Sequence, residues 1–225
     1  MTHRYPEKIL DRTNGDVSAN SYEFYKEDVQ MLKQASMQFY RFSIAWSRIM
    51  ANGDTSTLNE PGLQYYDNLI NELLANGIEP MVTMYHWDLP QGLQDLGGMT
   101  NPIIIDYFEA YAATLFERYG DRVKIWTTFN EPKLVCENGY ATGERAPLVN
   151  LPGIGGYLCA HHALLAHARI YDLYQKKYKR EGGKVGIVIN CVFQWPKDKN
   201  NPEHVRAAER TMQFNVNVFE MIFIN

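Results

Sequence analysis

Two kinds of hydrophobic pattern alternate along the chain, and together they predict an ordered series of strands and helices. Short runs of β-branched and aromatic residues predict strands at 39–46, 79–85, 123–129 and 184–191, the last two of them buried. Longer segments, in which apolar residues recur every three or four positions, predict helices at 21–35, 57–76, 101–119, 157–180 and 202–225. A Gly- and Pro-rich stretch at 136–156 predicts a long loop. Strands that alternate with helices are typical of a parallel α/β sheet.

The third predicted strand ends in a carboxylate. Pro132 lacks a backbone N–H and disfavours the helical region for the residue before it, so the strand must stop close to Glu131. Enzymes with α/β folds place their chemistry at the carboxyl ends of strands. An isolated Glu before Pro more often only begins a loop. Asn130 favours a functional role, because its amide is a two-way hydrogen-bonding group that suits a hydroxyl-rich ligand.

Arg41 lies inside the first predicted strand, on the same face as Phe39 and Ser43. A guanidinium in an apolar strand is costly unless it meets a carboxylate. Spacing alone therefore favours a structural ion pair for Arg41.

The second predicted strand delivers His86, Trp87 and Asp88 to a loop. A lone histidine more often packs in a core than binds a ligand. Here the imidazole stands beside an indole at a strand end, and such a pair is suited to binding a sugar. Asp88 precedes the turn at Leu89 and Pro90, which predicts a structural role for its carboxylate.

Three histidines of one predicted helix and the three cysteines give no sign of a metal or a disulfide. His161, His162 and His167 lie on one predicted helix among Ala and Leu, where adjacent residues point in different directions, so packing and capping are favoured. The cysteines, at 136, 159 and 191, fit neither a disulfide framework nor a Cys-x-x-Cys metal spacing. They are predicted to be small buried hydrophobes. No metal and no cofactor is expected.

Composition and charge exclude several kinds of partner. The 225 residues are 45% hydrophobic and 21% charged, with a net charge of −4 spread along the chain. This balance gives no reason to expect nucleic-acid or anionic-membrane binding. No run reaches the roughly 18 apolar residues of a membrane helix. The first residues lack the apolar region of a secretory signal, which leaves secreted and cytoplasmic locations both open, as it does the oligomeric state.

Several motifs resemble those of one enzyme family, and they occur in the family's order. Residues 128–132, Thr-Phe-Asn-Glu-Pro, are similar to the acid/base signature of the family 1 glycoside hydrolases, the β-glucosidase and myrosinase-like group. Residues 40–49 (YRFSIAWSRI) and 85–91 (YHWDLPQ) are similar to further family motifs, and residues 14–17 and 143–147 also fit. The resemblance covers the chain from about residue 5 to about residue 215.

The resemblance implies a fold and a set of roles. It implies part of a TIM (β/α)8 barrel, with about four of the eight strands present and the first and last three missing, and one incomplete barrel domain over residues 1–225. It also implies a retaining β-glycosidase that acts on a small-molecule glycoside. In that enzyme Glu131 is the general acid/base, Asn130, His86 and Trp87 contact the sugar, and Arg41 lies beside the nucleophile.

The second carboxylate of this mechanism is not found. Glu137-Asn138-Gly139 is similar to the family's nucleophile motif, but it follows Glu131 in the same predicted loop with no strand before it, and we reject Glu137 for that role. The family pattern also breaks at residues 217–220, and at Asn20 and Glu23, where the family has Asp and His. The sequence therefore predicts the front portion of a β-glycosidase, with little activity alone.

Three alternatives stay open. The first is a degenerate, non-catalytic sugar-binding relative. The second is an insect-type myrosinase: Glu131 argues against the resembled plant myrosinases, which carry Gln at that position, but does not exclude the insect type. The third, an unrelated α/β scaffold protein, is disfavoured by the set of motifs.

Overall fold

The computed structural model of the protein describes residues 3–190 and 192–220, with side chains up to Gln213 in the last helix. Its strands are β1 (Phe39–Ser43), β2 (Glu79–Tyr85), β3 (Ile125–Asn130) and β4 (Lys184–Val188). They form one sheet in the order β1-β2-β3-β4, and each neighbouring pair is parallel. Parallel neighbours in chain order, each joined through a helix, are the arrangement of a (β/α) barrel wall.

Helices precede, connect and follow the strands, and those at 60–75, 104–119 and 155–173 pack against the sheet. The helices are α1 (Ser21–Gln34), α2 (Trp46–Ile49), α3 (Glu60–Ala75), α4 (Gln91–Asp95), α5 (Ile104–Tyr119), α6 (Pro132–Leu134), α7 (Gly155–Leu173) and α8 (Pro202–Glu220). Short 3-10 turns occur at Pro6–Lys8, Thr55–Thr57 and Gly98–Thr100, and π-helical turns at Val135–Ala141 and Tyr174–Tyr178. The expected order of strands and helices and the expected partial barrel are confirmed.

The core lies between the sheet and the helices α3, α5 and α7, and aromatic rings fill much of it. Trp46 stacks on Tyr111 with 4.7 Å between ring centroids, and Trp126 of β3 meets Phe116 edge to face. The Tyr111 hydroxyl lies 3.0 Å from the carbonyl oxygens of both Ile44 and Met84, and it can donate to either. Helix α5 is thereby fixed at the carboxyl ends of β1 and β2.

An irregularity in β3 decides which residues face away from the helices. Strict alternation would place Thr127 and Phe129 on one face and Asn130 on the other. The register between β3 and β4 shifts between Thr127 and Asn130. Thr128 and Phe129 both face helices, α7 and α5 respectively. Asn130 therefore shares the face of Thr127, because one extra residue inverts the alternation.

Three sequence predictions about structure are wrong. Strand β4 is half-buried rather than buried, because it is an edge strand of the sheet. The predicted loop at 136–156 begins with the π-helix Val135–Ala141. Cys136 and Cys159 form a disulfide, with 5.3 Å between their Cα atoms. The π-helix and α7 come together only in the fold, so the spacing of 23 residues along the chain carried no signal. Cys191 lies outside the described residues.

The two buried histidines of α7 have partners in the protein. His162 Nδ1 lies 2.9 Å from the carbonyl oxygen of Met99, and His167 Nδ1 lies 2.6 Å from Thr128 Oγ1. These contacts agree with the packing and capping roles expected from the sequence. Among the described residues, none of the helices has the length and apolar character to cross a membrane.

Candidate active site at the carboxyl ends of the strands

Glu131 leaves the end of β3 through an unusual backbone conformation. Its φ and ψ are 47° and 56°, in the left-handed region, and its N–H donates to the Val188 carbonyl oxygen of β4 at 2.8 Å. A residue with a Cβ pays about 1–2 kcal/mol to adopt this conformation. The strand ends where Pro132 required, and the half-buried side chain stands at the rim of the sheet.

Asn190 is a neighbour of Glu131 that sequence reasoning missed. Its Nδ2 donates to Glu131 Oε1 at 3.3 Å. Asn190 follows the carboxyl end of β4, the strand next to β3. The rule that functional groups gather at strand ends, applied to the fourth strand as well as the third, would have identified it.

Asn130 is held by two of the other predicted site residues. Its Oδ1 accepts from Arg41 Nη2 at 2.7 Å, and its backbone carbonyl accepts from Trp87 Nε1 at 2.9 Å. The Arg41 guanidinium also donates through Nε to Thr83 Oγ1 at 2.9 Å, and Thr83 is hydrogen-bonded to Thr127 at 2.7 Å. A row of hydrogen bonds therefore crosses β1, β2 and β3 beneath the rim.

The ion pair favoured for Arg41 by its spacing is not formed among the described residues. In the part of the chain that the structure describes, no carboxylate lies within ion-pair distance of Arg41. The side chain is exposed, so water offsets much of the cost that the prediction assumed. An amide and a hydroxyl accept its hydrogen bonds instead.

Trp87 also has a left-handed backbone, with φ at 71°. Its indole N–H is committed to Asn130, and the Arg145 guanidinium lies 5.5 Å from the centre of its ring, at cation–π distance. A cavity of about 250 Å³ adjoins it. Aromatic and amide side chains contribute to the cavity lining, among them Tyr5, Tyr85, Gln91, Gln94 and Tyr140.

His86 stands exposed at the same rim, with its ring edge-to-face with Trp87 at 5.9 Å. Burial of part of the ring lowers the pKa of His86, the Arg41 cation lowers it further, and the Glu131 carboxylate acts in the opposite direction. The neutral imidazole that results can both donate and accept hydrogen bonds, as contact with hydroxyl groups requires. The structure thus brings Arg41, His86 and Glu131 together at one rim.

Asp88 supports the turn that carries His86. One carboxylate oxygen accepts from the His86 N–H and the other from the Trp46 N–H, both at 3.1 Å. Burial raises the pKa of Asp88, and these hydrogen bonds oppose the rise. The contacts agree with the structural role expected for Asp88.

Glu137 lies away from any strand end. It is exposed on the π-helix Val135–Ala141, and the neighbouring Asn138 and Gly139 accept backbone hydrogen bonds from Arg145 and Val149. This position gives no support to a role as the second carboxylate.

Comparison with known proteins identifies the family. Residues 1–224 match the sequence profile of Glycosyl hydrolase family 1. The chain belongs to this family. It is 51% identical over 215 residues to Myrosinase 1 of Brevicoryne brassicae, covering 95% of this chain and 46% of that protein. It is 44% identical to the non-cyanogenic β-glucosidase of Trifolium repens, covering 97% and 47% respectively.

Solved family 1 structures have the same fold over the shared region. An aphid myrosinase superposes with a TM-score of 0.94 at 50% identity, covering 97% of this chain and 47% of that one. The rice Os3BGlu6 β-glucosidase superposes with a TM-score of 0.91 at 39% identity, covering 98% and 49%. The chain spans about half the length of the relatives that it matches.

Proposed function

We propose that the protein carrying this chain is a retaining β-glycosidase that hydrolyses O-glycosidic bonds, and that Glu131 is its general acid/base. The observation that carries the proposal is the arrangement of Asn130 and Glu131 at the end of β3. Asn130 is held from two sides by Arg41 and Trp87, and Glu131 projects beside it at the rim. Residues 1–225 then form part of a single barrel domain.

Glu131 has two tasks in this reaction. As an acid it protonates the oxygen of the departing group, and as a base it later removes a proton from the water that releases the sugar. The second carboxylate, roughly 5 Å away in retaining enzymes, attacks the sugar carbon. We assign no such nucleophile within residues 1–225, so we expect little glycosidase activity from this chain by itself.

The neighbouring side chains would bind the sugar. Arg41 donates a hydrogen bond to the side-chain oxygen of Asn130. Because the amide group is planar, this bond also fixes the direction of the two amide N–H groups. A hydrogen bond from such a group to the hydroxyl beside the reacting carbon strengthens in the transition state. The neutral imidazole of His86 can contact a second hydroxyl of the sugar. Trp87 supports Asn130 through the hydrogen bond from its indole N–H to the Asn130 carbonyl oxygen.

The test uses a completed enzyme, in which this chain is joined to the segments of the aphid myrosinase that it does not match. We expect hydrolysis of aryl β-glucosides, and for Glu131→Gln a loss of about 100-fold or more with poor leaving groups. The loss should be small for a dinitrophenyl glucoside in the glycosylation step, since that group leaves without a proton. Azide should then restore turnover, because an anionic nucleophile needs no base.

Glu137→Gln is the matched control, since it removes a nearby exposed carboxylate. Its activity should equal that of the unsubstituted enzyme, and a collapse would show that Glu137 is the second carboxylate. A folded completed enzyme that binds glucoside analogues without turnover would instead favour the non-catalytic relative.

A thioglucoside is a second candidate substrate. The observation that favours it is the 51% identity with Myrosinase 1 of Brevicoryne brassicae. A thiolate leaves more readily than an alkoxide, so cleavage of a thioglucoside depends less on protonation. Comparing kcat/KM for matched O- and S-aryl glucosides decides between the two, and Glu131→Gln should impair the O-glucoside more.

A further inference from the structure

Helix α7 contacts the chain on both sides of Glu131. Three residues before Glu131, Thr128 Oγ1 lies 2.6 Å from His167 Nδ1. Five residues after it, Cys136 is joined to Cys159 by the disulfide. One helix therefore fixes the end of β3 and the start of the π-helix, with Glu131 between the two attachments.

Both attachments are buried. Thr128 and Cys159 are fully buried, and His167 and Cys136 are only 2% and 3% exposed. Burial lowers the pKa of His167 to about 4, so the ring is neutral over the neutral pH range. The Thr128 hydroxyl also lies 3.3 Å from the Gly186 carbonyl oxygen, which extends the contact from α7 through β3 to β4.

The residue between these attachments has a conformation that needs support. A left-handed backbone at a residue with a side chain is unfavourable, and it persists where surrounding structure determines it. Asn190 and the Val188 carbonyl contact Glu131 directly, but Val188 is half-buried and Asn190 is exposed. Helix α7 is the only one of these supports that packs within the buried core.

We propose that α7 acts as a clamp, in which His167 and the Cys136–Cys159 disulfide are positioning elements that hold Glu131 in its left-handed conformation. The catalytic consequence rests on the proposed role of Glu131, while the conformational effect stands without it. His167 and both cysteines are buried, so they act on the reaction only through the position of Glu131. They set the direction in which the acid/base carboxylate leaves the strand.

The conformational arm of the test measures the chain itself by NMR. The 13Cα and 13Cβ chemical shifts of Glu131 report its backbone region. We expect the left-handed signature to be lost or split in His167→Ala and in the double variant Cys136→Ser with Cys159→Ser. His167→Asn should restore it, because the Asn Nδ2 can occupy the place of the His Nδ1. The indole N–H of Trp126, bonded to the Val123 carbonyl at 3.1 Å in the core, marks a folded chain.

Arg169→Ala is the matched control on the same helix. Arg169 pairs with Asp106 and Glu109 of α5, so its loss loosens α7 on the surface without touching either attachment. The Glu131 signature should be unchanged in this variant. A left-handed Glu131 that persists both in His167→Ala and in the double serine variant overturns the clamp.

The catalytic arm uses the completed enzyme and a series of aryl glucosides. Mispositioning of an acid should lower kcat about tenfold for poor leaving groups, leave KM within twofold, and spare the dinitrophenyl glucoside. General loss of folded enzyme would lower every rate equally, and that outcome overturns the positioning role. If Glu131→Gln shows no dependence on the leaving group, the proposed function fails, while the NMR result still decides the clamp.

Discussion

Arg41 Nη2 donates a 2.7 Å hydrogen bond to Asn130 Oδ1, which joins the first and third strands of the sheet across the second. The same guanidinium bonds Thr83 on that middle strand through Nε. The planar guanidinium holds its Nε–H and Nη2–H groups at a fixed angle, and they donate to Thr83 and Asn130 respectively. The orientation of the Asn130 amide depends on this fixed geometry.

Arg41→Lys keeps the positive charge but removes the pair of N–H donors that the guanidinium holds at a fixed angle. A single ammonium cannot reproduce both hydrogen bonds, so we expect kcat/KM of the completed enzyme to fall about tenfold. The free energy of unfolding should change by less than about 1 kcal/mol, since the side chain is exposed. Steady-state kinetics and urea denaturation measure the two. Full activity in Arg41→Lys would show that charge alone suffices.

A buried carboxylate between α3 and α5 gives a prediction about stability. Asp67 accepts from Arg118 Nε at 2.6 Å and from Arg122 Nη2 at 2.7 Å, and its side chain is 10% exposed. Asp67→Asn leaves two partly buried cations without their anion, and we expect a loss of about 2–4 kcal/mol in the free energy of unfolding. Glu60→Gln is the control: Glu60 also pairs with Arg118 but is 65% exposed. Its loss should stay below about 1 kcal/mol, and equal effects would contradict this account.

His167 should make the stability depend on pH. Its folded-state pKa, about 4, lies below the ordinary histidine value of 6.5 because burial disfavours the cation. Between these values the unfolded chain binds more protons than the folded chain, so stability falls as the pH is lowered from 6.5 towards 4. The loss contributed by His167 is of the order of 3 kcal/mol.

Urea denaturation at several pH values tests this expectation. His167→Asn should reduce the slope in that window, whereas His161→Gln, which removes an exposed histidine of the same helix, should retain it. An unchanged slope in His167→Asn would assign the dependence to other groups.

The disulfide should contribute to stability through the unfolded chain. Cys136 and Cys159 are 23 residues apart, and closing a loop of that length corresponds to about 3 kcal/mol in the chain-entropy estimate. The double serine variant should therefore unfold at a lower urea concentration. The urea midpoint of this variant is compared with that of the unsubstituted, disulfide-bonded protein at the same pH. Identical midpoints would show that the cross-link makes no net contribution to the free energy of unfolding.

The sequence was sufficient where the signal is local. Hydrophobic periodicity found β1, β2, β3 and β4 and the long helices, because the residues that share a buried face recur at a regular spacing along the sequence. It failed where contacts join distant segments. The disulfide depends on how α7 packs, and the acceptors of Arg41 depend on the irregularity in β3 that turns Asn130 to its face. The prediction of a loop at the π-helix was wrong for another reason, because the Gly-containing sequence of this helix has the composition of a loop.

The left-handed backbone of Glu131 affects which substitutions the fold tolerates at this position. Glycine adopts that conformation without a Cβ penalty, so Glu131→Gly would relieve about 1 kcal/mol of strain, offset in part by the greater freedom of the unfolded chain. Folding alone therefore exerts no pressure to keep a glutamate here. In a gene copy whose product is no longer selected for catalysis, position 131 is among the first where a substitution would be accepted without loss of the fold.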